Sequence, residues 1–163
     1  MESDKKTISR LKPNAYYCGL IQNLYAGTEG ELCTTMQFFY SANILSPFNK
    51  NLSSILEQIS KTDFLHASML SDLIIRLGGD PILINNQGKW LSGRSLDYIK
   101  DTKQIISLNL ELKEKIIIDT RTAIAKIDDI QVKQVLFQIL SDEILHRKSL
   151  QNLKRVYCEQ PQN

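Results

Sequence analysis

The chain has 163 residues, the length of one ordinary domain, and a chain of this size buries enough surface for a substantial core. Apolar residues make up 42% and charged residues 23%, with 7 glycines and 4 prolines, which excludes disordered, collagen-like and low-complexity classes. The 20 basic and 18 acidic residues nearly cancel, so the net charge does not predict a nucleic-acid or membrane partner.

Membrane insertion and secretion are not expected from the sequence either. No apolar run approaches the roughly 20 residues of a membrane span. The first residues are charged and lack the apolar stretch of a secretion signal. The three cysteines, Cys18, Cys33 and Cys158, lack CxxC spacing, which excludes a zinc ribbon or a rubredoxin-type iron site within the chain. We therefore expect a cytoplasmic protein with reduced cysteines.

Four segments, taken in chain order, have the periodicity of amphipathic helices. The first ends before Pro47, because the residue before a proline disfavours helix. The second ends at Gly78 and Gly79, a typical helix stop, and the fourth begins at Asp128 and Asp129, which are good N-cap residues. The segments span about residues 19–45, 51–77, 97–127 and 128–157.

The connections between these segments predict the topology. Only a few residues separate segments one and two, or three and four, so each pair should form an antiparallel hairpin. The connection between segments two and three, at about residues 80–96, is long for a helical bundle. We therefore expect an all-α four-helix bundle in which a long crossover between helices two and three joins two antiparallel hairpins. Residues 1–15 are predicted to form an N-terminal arm, 16–157 the bundle and 158–163 a C-terminal tail.

Acidic residues interrupt three of the apolar stripes at positions that should face the core. Asp63 and His66 interrupt the stripe of segment two, and Glu143 and His146 interrupt that of segment four. Glu31 likewise interrupts the apolar stripe of segment one. Burying three carboxylates together is costly unless cations compensate them. The stripes therefore predict a buried cation, and a metal ion is a common one.

The two histidines strengthen this prediction, because each follows an acid by three positions. Residues i and i+3 project from one helix face, so a carboxylate and an imidazole can bind one ion. Acidic residues occupy about 11% of the chain, and both pairings would arise by chance in about 1% of such sequences. A single buried histidine is usually just hydrogen-bonded, but two such pairs on two helices favour a metal site.

Three longer motifs surround these residues. The first is Glu31-Leu-Cys-Thr-Thr-Met-Gln37-Phe-Phe-Tyr40. The second is Asp63-Phe-Leu-His66 with the helix ending Leu77-Gly-Gly-Asp-Pro81, and the third is Asp142-Glu143-Ile-Leu-His146. Together they resemble the ferritin-like carboxylate superfamily, most closely its manganese-catalase-like and rubrerythrin-like bacterial members. The resemblance covers about residues 16–153, and the ending of the second helix is its most specific part.

The resemblance implies a ferritin-like bundle with a two-metal centre of manganese or iron that acts on peroxide or oxygen. The implied ligands are Glu31, Asp63, His66, Glu143 and His146, together with a sixth ligand, a glutamate of helix three. The chain departs from this pattern at two positions. Asp63 replaces a longer glutamate, and the position of the sixth ligand falls on Lys113.

Lys113 leaves three interpretations open. In the first, a one-residue π-bulge turns the neighbouring Glu114 inward as a metal ligand and completes the two-metal site. In the second, Lys113 points inward and repels a second cation, so the site binds one ion or none and is held by ion pairs. The three carboxylates and one ammonium then sum to −2, which one divalent ion or two protonated histidines would neutralise. In the third, Lys113 extends outward to solvent.

Two functions follow from these interpretations. The first is an enzyme-like metal-binding protein in which one or two manganese or iron ions act on peroxide or oxygen. Catalase-like chemistry is favoured because the chain has no electron-transfer module, although no residue can be assigned a catalytic role. The second is a degenerate bundle with a mononuclear or absent metal that serves a structural, coat or interaction role. A homodimer or higher homo-oligomer is expected by analogy with the fold alone.

Overall fold

The computed structural model describes residues 11–85 and 87–159. This part of the chain contains no named strand and has five α-helices. None of these helices is long and apolar enough to cross a membrane. Most of the expected arm (1–10) and of the expected tail (160–163) lies outside the described residues. The helices are α1 (Ala15–Ala26), α2 (Glu31–Leu45), α3 (Lys50–Arg76), α4 (Thr102–Lys126) and α5 (Ile130–Cys158).

The first predicted helix is divided into two, so the expectation of one helix over residues 19–45 is wrong. The chain turns between α1 and α2, and two glycines allow its backbone to pass close to itself. A Cβ at Gly27 would collide with the carbonyl oxygen of Asn23, and a Cβ at Gly30 would lie 2.8 Å from the backbone of Gly27. The apolar pattern continues through both helices, and for this reason it did not reveal the break.

Helices α1 and α2 lie along opposite halves of α3. The amide of Asn14, just before α1, donates to the carbonyl of Leu77 at the end of α3 over 3.0 Å. Helix α2 instead connects directly to the start of α3 through the short link that contains Pro47. The two short helices together therefore take the place of the first of four bundle helices, antiparallel to α3.

The structure confirms most of the helix starts and ends that the sequence predicted. The Asp129 side chain caps α5 by accepting from the amides of Gln131 and Val132. After α3, Gly78 adopts a positive φ of 87°, a conformation that suits glycine. Helix α4 begins at Thr102, later than the predicted start near residue 97.

The crossover between α3 and α4 is held against the first two helices by glutamine side chains. Gln22 of α1 donates to the carbonyls of Ile82 and Ile84, each over 2.7 Å. Gln37 of α2 donates to the carbonyl of Asp97 over 2.9 Å and accepts from its amide over 2.8 Å. The long connection predicted from the sequence is therefore bound by side-chain hydrogen bonds to α1 and α2.

Two apolar clusters form the core and leave a polar layer between them. One cluster includes Leu24 and Leu73, near the end where α3 finishes. The other includes Phe38, Leu56 and Ile106, near the end where α3 begins. Acidic and basic side chains of the polar layer are thus enclosed by apolar walls, where electrostatic interactions are stronger than in water.

Candidate metal centre

The polar layer contains the acids and histidines that the sequence singled out. Glu31 begins α2, Asp63 and His66 lie in the middle of α3, and Glu143 lies in the middle of α5. One ligand atom from each of these four residues lies within 4.8 Å of the others. All four are buried, with no more than 2% of each residue exposed. The helices therefore bring together charges that would be costly to bury apart.

Helix α2 favours a negative charge at its first residue. The break before α2 places Glu31 at the positive end of the helix dipole, which reduces the cost of burying its carboxylate. Neither oxygen of this carboxylate makes a hydrogen bond with any residue that the structure describes. A buried carboxylate without donors is a site where a cation is expected.

His66 faces two carboxylates through one ring nitrogen. Its Nδ1 lies 3.5 Å from Oε1 of Glu31 and 3.3 Å from Oε1 of Glu143. Ligands bonded to one ion at 2.0–2.2 Å are separated from each other by about 3.0–3.4 Å. The two distances from Nδ1 are therefore close to the spacing of neighbouring ligands on one metal ion, and the ligand atoms of the whole group lie within 4.8 Å of one another.

The other ring nitrogen of His66 is held by Asp142. Its Nε2 lies 3.1 Å from Oδ2 of this partly exposed aspartate. A proton on Nε2 leaves the Nδ1 lone pair facing Glu31 and Glu143, which is the tautomer that a metal requires. The role of Asp142 was missed in the sequence analysis, although the residue lies in the quoted α5 motif beside Glu143.

Lys113 occupies the other half of the centre. This lysine of α4 is fully buried, and its Nζ lies 2.6 Å from both carboxylate oxygens of Asp63. The same Nζ lies 2.7 Å from Oε2 of Glu143 and 5.0 Å from the ring centre of Phe38. The interpretation in which Lys113 extends outward to solvent is therefore wrong.

Glu114 lies on the exposed surface of α4, so the prediction that it joins the metal ligands is wrong. Helix α4 is α-helical from Thr102 to Lys126, without the π-bulge that would rotate Glu114 inward. Successive side chains are turned by about 100°, and here Lys113 points into the core while Glu114 points to solvent. The inward position belongs to Lys113 because its ammonium compensates two buried acids.

His146 lies at the edge of the centre, on the same side as Lys113. Its Nδ1 lies 3.1 Å from Oε1 of Glu143 and 3.5 Å from Oδ1 of Asp63. Its side chain is 14% exposed, more than that of the other histidine. Asp63, Glu143 and His146 could hold a second ion only if the space of the Lys113 ammonium were free.

The titration of these groups follows from their charges and burial. Burial alone would lower the pKa of Lys113, but the charges of Asp63, Glu143 and Glu31 outweigh it and raise that pKa. Burial would raise the pKa of Glu143, but Lys113 and the two neighbouring histidines hold it well below its ordinary value. Lys113 and Glu143 therefore form an ion pair in which both groups are charged.

The remaining acids are not fully compensated by Lys113. Burial and the nearby charge of Glu143 raise the pKa of Glu31, and burial raises that of Asp63 well above its ordinary value. Burial would lower the pKa of His66, but the carboxylates of Glu143 and Glu31, at 3.3 and 3.5 Å from Nδ1, outweigh it and raise that pKa to about 10. These directions mean that the cluster binds positive charge, either as protons or as a metal ion.

The residues present fit one divalent ion but not the ligand set of two. Glu31, His66 and Glu143 supply converging oxygen and nitrogen atoms of the kind that manganese, iron and zinc accept. A second ion lacks a carboxylate from α4 and would have to share its place with the ammonium of Lys113.

Comparisons with known proteins identify solved structures that have the same fold. No protein-family model matches the chain, and no curated protein matches it by sequence. The manganese catalase KatB from Anabaena PCC7120 has 20% identity and a TM-score of 0.81, covering 100% of this chain and 85% of that one.

Two bacterioferritins are also similar in structure. That of Rhodobacter capsulatus, described with a metal-free dinuclear site, has 18% identity and a TM-score of 0.77, covering 90% of this chain and 88% of that one. That of Desulfovibrio desulfuricans, described with a diiron site, has 17% identity and a TM-score of 0.71, covering 86% and 78%. The chain therefore has the ferritin-like bundle fold of these structures, as the sequence predicted.

Proposed function

We propose that this protein binds a divalent manganese or iron ion in the centre of its bundle and uses it to act on peroxide or oxygen. The observation that carries the proposal is the position of His66 Nδ1 between the buried carboxylates of Glu31 and Glu143, without a hydrogen-bond partner among the described residues. These groups take up positive charge, and their distances from Nδ1 suit a divalent ion as well as a proton.

The chain contributes position and charge to this function. Glu31, His66 and Glu143 hold the ion, and Asp142 keeps His66 in the binding tautomer. A bound manganese or iron ion supplies redox activation of a small oxidant. The partly exposed His146, which is hydrogen-bonded to Glu143, is the group best placed to exchange protons with solvent.

A cytoplasmic location is part of the proposal. Cys18, Cys33 and Cys158 are all free thiols in the structure. Free thiols persist in a reducing compartment, where manganese and iron are also present in their divalent states. A small oxidant can reach a buried centre by diffusion, whereas a macromolecular substrate cannot.

The direct test is metal binding followed by an oxidant assay. Protein purified without chelator should contain manganese or iron, and metal-stripped protein should bind Mn²⁺ or Fe²⁺ in calorimetric titrations. Glu31→Gln should weaken binding at least tenfold, whereas Glu57→Gln, which changes an exposed acid of α3, should leave it unchanged. The loaded protein should consume peroxide or oxygen faster than the stripped protein. Absence of specific metal binding by the wild type would refute the proposal.

A second candidate function is a metal-free structural or interaction role. It is favoured by Lys113, whose ion pairs with Asp63 and Glu143 neutralise part of the cluster without any metal. Such a bundle would contain no metal after gentle purification, and its thermal stability would not change on addition of EDTA. These two results together would favour the structural role over the first proposal.

A further inference from the structure

We infer that the centre is built for a single metal ion, and that the ammonium of Lys113 permanently takes the place of a second one. The inference rests on the proposed function, because it concerns the number of ions in the same site. Three independent features of the described residues support it: the position of Nζ, the charge of the cluster and the composition of α4.

The position of Nζ is the first of these features. Lys113 Nζ lies 2.6 Å from both oxygens of Asp63 and 2.7 Å from Oε2 of Glu143. Divalent ions bind carboxylate oxygens at about 2.0–2.2 Å, only slightly closer than this. The ammonium therefore lies where an ion bound by Asp63 and Glu143 would lie. Among the described contacts it forms ion pairs with Asp63 and Glu143 and none with Glu31.

The net charge of the cluster is the second feature. Glu31, Asp63 and Glu143 contribute three negative charges when ionised, and Lys113 contributes one positive charge. One divalent ion brings the sum to zero with both histidines neutral. Two divalent ions would leave a charge of +2 in a buried space, where like charges repel strongly.

The inner face of α4 is the third feature, because it provides no acidic ligand. Glu111 and Glu114 are both exposed. Near Lys113 this helix buries Asn109, Leu110 and Ile116 instead. On the opposite side, the ring of Phe38 lies 5.0 Å from Nζ, a cation–π contact that stabilises an ammonium and offers a metal ion no ligand atom. The surroundings of Lys113 are thus suited to a fixed organic cation.

The first experiment measures stoichiometry and metal–metal coupling in the wild-type protein. Stripped protein loaded with Mn²⁺ and desalted should retain one equivalent. Its electron paramagnetic resonance spectrum should have the hyperfine pattern of an isolated Mn²⁺ ion, without the closely spaced lines of two exchange-coupled ions. Two equivalents with a coupled spectrum would overturn the inference while supporting the proposed function. Zero equivalents would overturn both.

The second experiment exchanges the cation for a ligand. Lys113→Glu should double the retained manganese and produce a coupled spectrum, because the new carboxylate would join Asp63, Glu143 and His146 around a second ion. The control, Lys103→Glu, makes the same change of charge on an exposed residue of α4 and should retain one equivalent. A folded Lys113→Glu variant that retains one uncoupled ion would overturn the inference. If that variant does not fold, the wild-type stoichiometry and spectrum still decide it.

Discussion

At the scale of single residues, one histidine and one lysine account for the character of the centre. The Nδ1 of His66 faces two acids, and Asp142 at 3.1 Å from Nε2 holds the ring so that Nδ1 can exchange its proton for a metal ion. Lys113 pairs with Asp63 of the other hairpin and with Glu143 of its own. The first interaction creates a place for a cation, and the second limits how much positive charge the centre still needs.

Removing the partner of His66 should weaken metal binding without touching a ligand. We expect Asp142→Ala to lower the affinity for Mn²⁺ about 10–100-fold, because the imidazole loses its fixed tautomer and orientation. Asp72→Ala is the control, since Asp72 is an exposed acid of α3 that pairs only with Arg76 at 3.5 Å in the described contacts. Titration calorimetry measures both variants. Equal affinities for Asp142→Ala and the wild type would contradict this role.

The raised pKa of His66 predicts how the metal-free protein depends on pH. In the folded protein His66 keeps its proton up to about 10, whereas the unfolded chain releases it near 6.5. The stabilisation is therefore complete below pH 6.5 and is lost as the pH rises towards about 10. Denaturation of stripped protein in EDTA should show lower stability at about pH 9 than at about pH 7. His66→Gln should lose most of this difference; an unchanged difference would contradict the assignment.

Replacing each histidine separately distinguishes the two halves of the centre. His66→Ala removes a ligand of the proposed ion, so it should abolish retention of Mn²⁺ after desalting. His146→Ala removes a group on the Lys113 side and should retain most of the metal. Elemental analysis of both variants measures the difference. If His146→Ala lost the metal and His66→Ala retained it, the ion would lie on the Lys113 side of the centre, which would contradict our account.

At the scale of elements, the sequence predicted the helices and their pairing but not the break between α1 and α2. Periodicity and caps locate helices because the core face and the termini are chemically distinct. Gly27 and Gly30 are needed for a close backbone approach, and such an approach depends on tertiary geometry. The consequence for function is that Glu31 begins a helix instead of lying within one.

The same reasoning explains why the sequence could not choose between Lys113 and Glu114. Periodicity places residue 113 on the inner face of α4, but a π-bulge would rotate the helix by one position. Only the packed structure shows that α4 has no such bulge and that Lys113 reaches Asp63 and Glu143. The acids of the other helices and His66, in contrast, lie buried together, and charged residues within apolar stripes are distinctive enough to point to them.

A substitution at the break should affect both stability and metal binding. Gly30→Ala would place a Cβ 2.8 Å from Leu24 O, so we expect a loss of about 1–3 kcal/mol in the free energy of unfolding. It should also weaken Mn²⁺ binding by displacing Glu31. Gly19→Ala, in the exposed part of α1 where a Cβ meets nothing within 4 Å, should instead stabilise the protein by about 0.5–1 kcal/mol. Chemical denaturation compares them, and a neutral Gly30→Ala would contradict the argument.

At the scale of the whole molecule, the centre connects the two halves of the bundle. Helices α2 and α3 supply Glu31, Asp63 and His66, and helices α4 and α5 supply Lys113, Glu143 and His146. The ferritin-like topology was predictable from two short links and one long crossover. The number of ions was not, because it depends on distances between side chains of different helices.

Because ligands come from both hairpins, metal binding should stabilise the whole fold. An ion present at 100 times its dissociation constant raises the free energy of unfolding by about 2.7 kcal/mol. We therefore expect the melting temperature of stripped protein to rise on addition of Mn²⁺ and to fall again with EDTA. His66→Ala should show no such rise, and a rise of equal size in this variant would indicate binding elsewhere.

The central claim is most directly tested by anomalous X-ray diffraction from crystals of the manganese-loaded protein. The account predicts a single anomalous peak, bonded to Glu31, His66 and Glu143, with the Lys113 ammonium still paired to Asp63. Two peaks within the bundle, or one peak at the position of the ammonium, would contradict it.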